Sequence, residues 1–326
     1  MGLLILITPA LVTGCRTNGF LIIPVSVAQN LQETVVSKDS GLFVEDRIAL
    51  VDVEGMLVNQ TDRGLFGSGE NPVALFSDKL NKAASDPKVK ALVIRINSPG
   101  GTVTASHLMY RLVQKFRKRS KKPVIMCGMD LLASGAYYLA TAGDEVIVQP
   151  TCVVGSIGVI MQTVNLAGTM NKLGIRTDAI KSGPTKDIGS PFRPMTEAER
   201  AILQGIIDHF YDQFLDVILA GRKQLTADSL RPLADGRVYV AAHAAMYHLV
   251  DQIGGLEDAI TAAKVSAGVR RVKIVMYHRP MGYRSNIYSR AQPTHPQSNV
   301  NLINVDLPDY LKLKQPTFLY LWAPGS

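Results

Sequence analysis

From Arg47 to Met276 the chain alternates continuous apolar, β-branched runs with segments of helical spacing, and few architectures satisfy that alternation. Ile48-Ala49-Leu50-Val51-Asp52-Val53 is apolar at nearly every position and ends at Gly55. It therefore reads as a strand buried on both faces. Val73 to Ala84 sets Leu75, Phe76, Leu80 and Ala83 at helical spacing and stops at Pro87. Val89 to Ile96 is a second strand, Ser106 to Phe116 an amphipathic helix, and Pro123 to Cys127 a third strand. Leu131 to Thr141 is predicted helical, Glu145 to Val148 and Val159 to Gln162 extended, Ala167 to Leu173 a helical turn and Ile175 to Ile180 a strand. Thr196 and Glu199 have the spacing of a capping box opening a helix to about Gly221. Shorter helices near Ser229 and Ala241, a helix over Glu257 to Ala267 and a strand over Val272 to Met276 complete the pattern. The class this predicts is α/β, a mostly parallel sheet with covering helices and a C-terminal arm.

A chain of 326 residues with 47% hydrophobic and only 19% charged residues has ample apolar material for one large domain with tails. The expected division is a leader over 1–15, a linker over 16–44 with a strand-like run from Phe20 to Val27, the α/β domain over 45–277, and a tail over 278–326. The tail's first part is polar, with Pro280, Pro293 and Pro296, and its apolar end, Phe318 to Trp322, needs a surface to dock on. Leu3 to Val12 is apolar, too short to span a bilayer but of signal-segment length. Val12-Thr13-Gly14-Cys15 resembles a bacterial lipoprotein signal, which makes Cys15 the lipidation candidate. No Lys or Arg precedes that run, so an uncleaved anchor and an ordinary buried segment stay open.

The net charge is +8, with one basic cluster at Arg117, Lys118, Arg119, Lys121 and Lys122. Such a cluster suits a solvated helix C-terminus, or attracts anionic headgroups at a membrane surface. Nucleic acid is not an expected partner, since neither aromatic interleaving nor zinc spacing accompanies the charge. There is no C-x-x-C, and Cys127 and Cys152 lie in apolar runs as small buried hydrophobes. The six histidines include no H-E-x-x-H, so neither a metal nor another cofactor is expected.

Four short segments carry the chemistry. Asn97-Ser98-Pro99-Gly100-Gly101 follows a strand, and paired glycines either make a tight turn or aim backbone N–H groups at a developing oxyanion. Ser134, in Ala133-Ser134-Gly135-Ala136-Tyr137-Tyr138, is either a helix N-cap or an accessible nucleophile at a helix N-terminus. Gly155-Ser156-Ile157-Gly158 is a further small-residue turn. Lys181-Ser182-Gly183-Pro184-Thr185-Lys186-Asp187 is a polar loop, and Lys186 is either solvated or a base for serine in a dry pocket.

In this order, N-S-P-G-G, A-S-G-x-Y-Y, V-G-S-I-G-V and K-S-G-x-x-K-D, the four segments resemble the signal peptide peptidase A family of serine–lysine proteases. The resemblance runs from about Arg47 to Met276, and Leu319-Tyr320-Leu321-Trp322 looks like that family's tail. It implies a Clp protease/crotonase-like fold, Ser134 as nucleophile, Lys186 as general base, Ser156 as hydrogen-bond partner of the lysine, and Gly100 and Gly101 as the oxyanion turn. It also implies cleaved signal peptides and similar apolar peptides as substrates, with small side chains near the cut. The expected setting is a homo-oligomer on the outer side of a bacterial membrane, with the tail as an interprotomer arm. Ala136 replaces a second glycine of the family's pattern, Asp130-Leu131-Leu132 replaces smaller residues, and His248 stands where a helix-ending glycine is common. An envelope or phage-type protease with other substrates, a crotonase-type acyl-CoA enzyme and a silent peptide-binding envelope protein are the alternatives.

Overall fold

The computed structural model describes residues 30–60, 63–64, 67–68, 70–279, 317–322 and 324. Cys15, the predicted leader, the run from Phe20 to Val27 and most of the 278–326 tail lie outside them.

The described chain opens with β1 (Gln32–Lys38) and β2 (Arg47–Glu54), followed by a pair of two-residue strands, β3 (Arg63–Gly64) and β4 (Gly67–Ser68). Helix α1 (Pro72–Ser85) starts with Asn71 capping two backbone N–H groups and proline in its first turn, where a missing N–H costs nothing. Then come β5 (Val89–Ser98), β6 (Gly100–Thr102), α2 (Val103–Ser120), β7 (Val124–Ala133), α3 (Gly135–Ala140), β8 (Glu145–Val148) and β9 (Val153–Gly155). The remainder comprises α4 (Ala167–Lys172), α5 (Glu197–Gly221), α6 (Ala227–Leu230), β10 (Val238–Val240), α7 (Ala241–Met246), β11 (Gln252–Ile253), α8 (Leu256–Ala267), β12 (Lys273–His278) and β13 (Leu319–Leu321).

The main sheet runs β1-β12-β2-β5-β7-β8-β11, and β9 branches from the end of β7 to pair with β10. All neighbours on the main path are parallel except β1 with β12; β9 with β10 is also antiparallel. Alternate residues of one strand feed two cores, as a period of two requires. Ala49, Val51 and Val53 of β2 pack with α1, α2, α3 and α5, whereas Ile48 and Leu50 face α8 through Leu256, Ala259, Ile260 and Ala263. The α/β class with a mostly parallel sheet is thus as predicted. Both cysteines are buried, and burial pushes each thiol up to about 12.

Four local expectations differ. β1 lies within the stretch read as linker, because its antiparallel register on β12 draws it into the sheet. Leu131 to Ala133 is strand, since β7 continues past Gly128 to pair with β9, and the predicted helix begins only at Gly135. Ile175 to Ile180 forms no strand; those residues are exposed and have no ladder to join. Phe318 to Trp322 docks on its own chain, with β13 antiparallel to β6. Arg117 and Lys122, two of the five residues of the basic cluster, have local partners: Arg117 donates to Ala142 O and Asp144, and Lys122 Nζ to the carbonyls of Ala83, Ala84 and Asp86 at the end of α1.

Candidate active site

Three of the four segments meet at the carboxyl ends of β5, β7 and β9, the edge at which parallel sheets place ligands. The pairings Ser98 with Leu132 and Ala133 with Gly155 fix their relative positions. Ser134 sits between the last residue of β7 and the first of α3, with φ 52° and ψ −117°, a conformation that L-residues seldom adopt. Its backbone N–H donates to Gly155 O at 2.7 Å, which holds the bend in place. The side chain makes no helix-cap hydrogen bond, and its Oγ is buried without a partner. The N-cap reading therefore fails for Ser134. A buried hydroxyl held at a strained bend and left unsatisfied is a feature that structural roles rarely leave behind.

The glycine turn lies against that bend. Gly100 has φ +98°, and a Cβ there would lie 2.1 Å from Tyr320 O and 2.6 Å from Gly135 N. A Cβ on Gly101 would meet Leu57 O at 2.0 Å. Only glycine fits at either position, so the backbones of 100–101 and 134–135 come together with nothing between. Gly100 N–H donates to Ser98 Oγ at 3.1 Å, and Ser98 Oγ donates to Gly55 O at 2.6 Å. Leu57 brackets the turn, donating to Gly100 O at 2.8 Å and accepting from Thr102 N–H at 2.9 Å. Ser156 follows Gly155 directly; it is buried, has φ 49°, and its N–H donates to Arg237 O at 2.7 Å.

Lys186 is the member the single chain does not bring in. It lies on a turn (its N–H donates to Gly183 O at 3.2 Å), its side chain is exposed, and no hydrogen bond or ion pair joins it to Ser134 or Ser156 among the described residues. The ordered cation of that loop is Lys181, 2.6 Å from Asp187, which Arg193 also grips at 2.7 Å. Arg193 and Lys181 hold the Asp187 carboxyl well below the usual carboxylate range, and Arg193 with the Thr196 backbone N–H lowers Glu199 to about 2.

Two participants were not assigned from the sequence. Ser98 organises the turn, and its only signal is its place inside the glycine motif. Tyr320 is fully buried beside the site, and its carbonyl oxygen lies close to Gly100 and Gly135. Among the described residues no group of three or more His, Cys, Asp or Glu could hold a metal ion, and no helix is long and apolar enough to cross a membrane.

The sequence profile of peptidase family S49 matches residues 116–270, a stretch that includes Ser134, Ser156 and Lys186. A relative from Methanocaldococcus jannaschii named as a protease is 38% identical over 219 residues, 67% of this chain and 69% of that one. The chain belongs to peptidase family S49. A second relative, from Enterococcus faecium and named for signal peptide peptidase SppA, is 31% identical over 231 residues, 71% of this chain and 67% of that one. Among solved structures, the N165D mutant of ClpP1 from Listeria monocytogenes aligns with 65% of this chain and 94% of its own at 16% identity, with a TM-score of 0.42. As an S49 protein the chain is a serine protease, and its domain is α/β with a mostly parallel main sheet.

Proposed function

We propose that this S49 protease is a serine endopeptidase working through a Ser134/Lys186 pair, and that it degrades cleaved signal peptides and similar apolar peptides at a bacterial membrane. The observation that carries the reading is Ser134, a buried, unpartnered hydroxyl on a strained bend beside a glycine turn. In the reaction, the Lys186 amine takes the Ser134 Oγ proton as the oxygen bonds to the scissile carbonyl carbon. The backbone N–H groups of Gly101 and Gly135 hold the oxyanion. The C–N bond then breaks, and the lysine ammonium returns its proton to the leaving amine. Water, deprotonated by the same lysine, hydrolyses the acyl ester and regenerates the serine.

This mechanism requires the segment 161–195 to carry Lys186 to a Ser134 and Ser156, in its own chain or in a neighbouring copy. That segment leaves Leu173, Ile175 and Ile180 exposed, as apolar residues are before a partner covers them. A homo-oligomer in which copies cover this segment for one another is the arrangement that accounts for it. Anchoring through Cys15 and attraction of Lys118, Arg119 and Lys121 to anionic headgroups would hold the assembly at the membrane surface.

The test is cleavage of a synthetic apolar signal peptide by the chain from residue 30, compared with Ser134→Ala and Lys186→Ala. Each variant should retain its circular dichroism and melting temperature and lose about a thousandfold or more in kcat. Near-normal turnover by folded Lys186→Ala would remove the lysine from the mechanism.

A further inference from the structure

Strand β7 changes partners part-way along its length. Ile125 to Gly128 pair with Glu145 to Val148 of β8, whereas Leu131 to Ala133 pair with Val153 to Gly155 of β9. The change falls at a break in the register with β5. Ile96 lies opposite Gly128, but the next pair is Ser98 with Leu132. Met129, Asp130 and Leu131 therefore stand opposite the single residue Asn97. Two extra residues preserve the alternation of faces, so Leu132 packs in the same core as Ile96 and Met126. Such a bulge bends its strand, and here the bent half is the one that runs along β9. Ser134 is the next residue after that half, and its N–H is bonded to Gly155 O at the end of β9. The course of β7 after the bulge thus decides where the Ser134 hydroxyl is delivered.

A bulge leaves backbone groups without their ladder partners. At this bulge the Asn97 side chain stands in for the missing rung. Its Oδ1 accepts from Leu131 N–H at 3.1 Å, and its Nδ2 donates to Asp130 Oδ2 at 2.9 Å. A carboxylate accepts and does not donate, so Asp130 fixes which end of the amide turns toward Leu131. On the opposite side of β5, the Asn97 carbonyl accepts from Gly55 N–H at 3.1 Å. Gly55 O in turn accepts from the Ser98 hydroxyl that organises the glycine turn. One residue therefore ties the bulge of β7 to the end of β2 and to the turn.

We propose that Asn97 is a positioning residue for the nucleophile: its side-chain amide carries β7 through the bulge, so that Ser134 meets the Gly100–Gly101 turn in attacking geometry. This rests on the reading of Ser134 as the nucleophile. Asn97 acts through Leu131 and Asp130, not on the reacting atoms. Asp130 is exposed and Asn97 half-buried, so the pair adds little to global stability. Its effect falls on local geometry, where a misplacement of about 1 Å can cost about a hundredfold in rate.

Full chains carrying Asn97→Ala, Asn97→Asp, or Asn97→Asp together with Asp130→Asn would be compared with the unaltered chain and with Ser134→Ala. Each would be assayed for cleavage of a synthetic apolar signal peptide, with melting temperatures taken on the same samples. Asn97→Ala should lower kcat about ten- to a hundredfold and change KM less than about twofold. Asn97→Asp should lower kcat about tenfold, because two carboxylates then face each other with no proton between them. The exchange returns a donor to the pair: a carboxylate at position 97 accepts from Leu131 N–H and from the amide at position 130. Its kcat should return to within about twofold of the unaltered chain. If Asn97→Ala melts lower but keeps its kcat, Asn97 supports the fold alone and the assignment falls. If Asn97→Asp is impaired and the exchange does not restore it, Asn97 works by another route and the assignment also falls. In both cases the protease reading stands as long as Ser134→Ala abolishes turnover. If the unaltered chain is folded and cleaves nothing, the Ser134 mechanism falls and the positioning role falls with it. Should Asn97→Ala fail to fold, Asn97→Asp and its exchange decide the matter alone.

Discussion

The surroundings of Ser134 and those of Lys186 are built in opposite ways. Around Ser134 every wall is a strand end or a buried helix: Ala133, Gly135, Ala136, Tyr137 and Tyr138 are all buried. Around Lys186, the stretch from Leu173 to Ser182 is exposed throughout, and Ile180 is as accessible as in an extended peptide. The first region is held by parallel register and by glycines that admit no side chain; the second is held by one ion-pair chain, Lys181–Asp187–Arg193–Glu199. The lesson concerns where catalytic order comes from. The fold of a single chain fixes Ser134 and the Gly100–Gly101 turn, whereas Lys186, the proposed base, sits on a segment that still has apolar surface to bury.

The sharpest way to break this contrast is to compare the two residues' effects on stability and on rate. Lys186→Ala should cost about a thousandfold in kcat and under about 0.5 kcal/mol in stability, since an exposed side chain is removed. Gly100→Ala should damage both. The positive φ and the 2.1 Å approach to Tyr320 O force the turn to move, costing about 2–3 kcal/mol, and displacement of the oxyanion donors costs about a hundredfold in kcat. Thermal melts and steady-state kinetics on the same samples read both quantities. A Gly100→Ala chain with unaltered melting would mean that the turn is not as tightly held as its contacts imply. Next in size is Leu173→Ser with Ile180→Ser. These changes leave the folded monomer untouched, and should lower the mass measured by light scattering and lower activity in proportion; unchanged mass and unchanged activity would show that the exposed apolar residues cover nothing.

How much of this was legible in the sequence follows the same division. Continuous apolar runs announced β2, β5 and β7, and the capping box of Thr196 with Glu199 marks the start of α5 to the residue, because these signals are local. His248 stands where the resembled family commonly has a helix-ending glycine, and its φ of 58° is the left-handed backbone such a glycine would supply. The extension of β7 through Leu131–Ala133 was not, because the same small and apolar residues suit a helix and only pairing with β9 decides. The apolar run Ile175–Ile180 reads as a strand, yet a strand needs a neighbour, and none is present among the described residues of one chain. The motif order picked out Ser134, Gly100 and Ser156 as a group. That Tyr320 lies among them rests on a contact across more than two hundred residues, which no local pattern carries.

The smallest expected effect separates the two regions by acid. In the packed region, His107 Nδ1 lies 2.8 Å from Tyr138 Oη, and the ring also stacks near Tyr110. Burial, and then the charge of Arg111, lower the pKa of His107. With a lowered folded value, the native chain refuses a proton that the unfolded chain accepts below about pH 6.5. Stability from this group is therefore complete above that pH and declines as the pH falls below it. In the other region the sign is the same but the window is different. Asp187 and Glu199 are held low by Arg193, so their contribution begins to fade only below about pH 4, where free carboxylates protonate. Between pH 7.5 and 5.0 the melting temperature should thus fall with a slope that His107→Asn reduces, while Asp187→Asn leaves that slope unchanged. An acid slope over this range that Asp187→Asn removes and His107→Asn does not would place the weaker link in the exposed segment, and the packed site would no longer be the part of the molecule that acid reaches first.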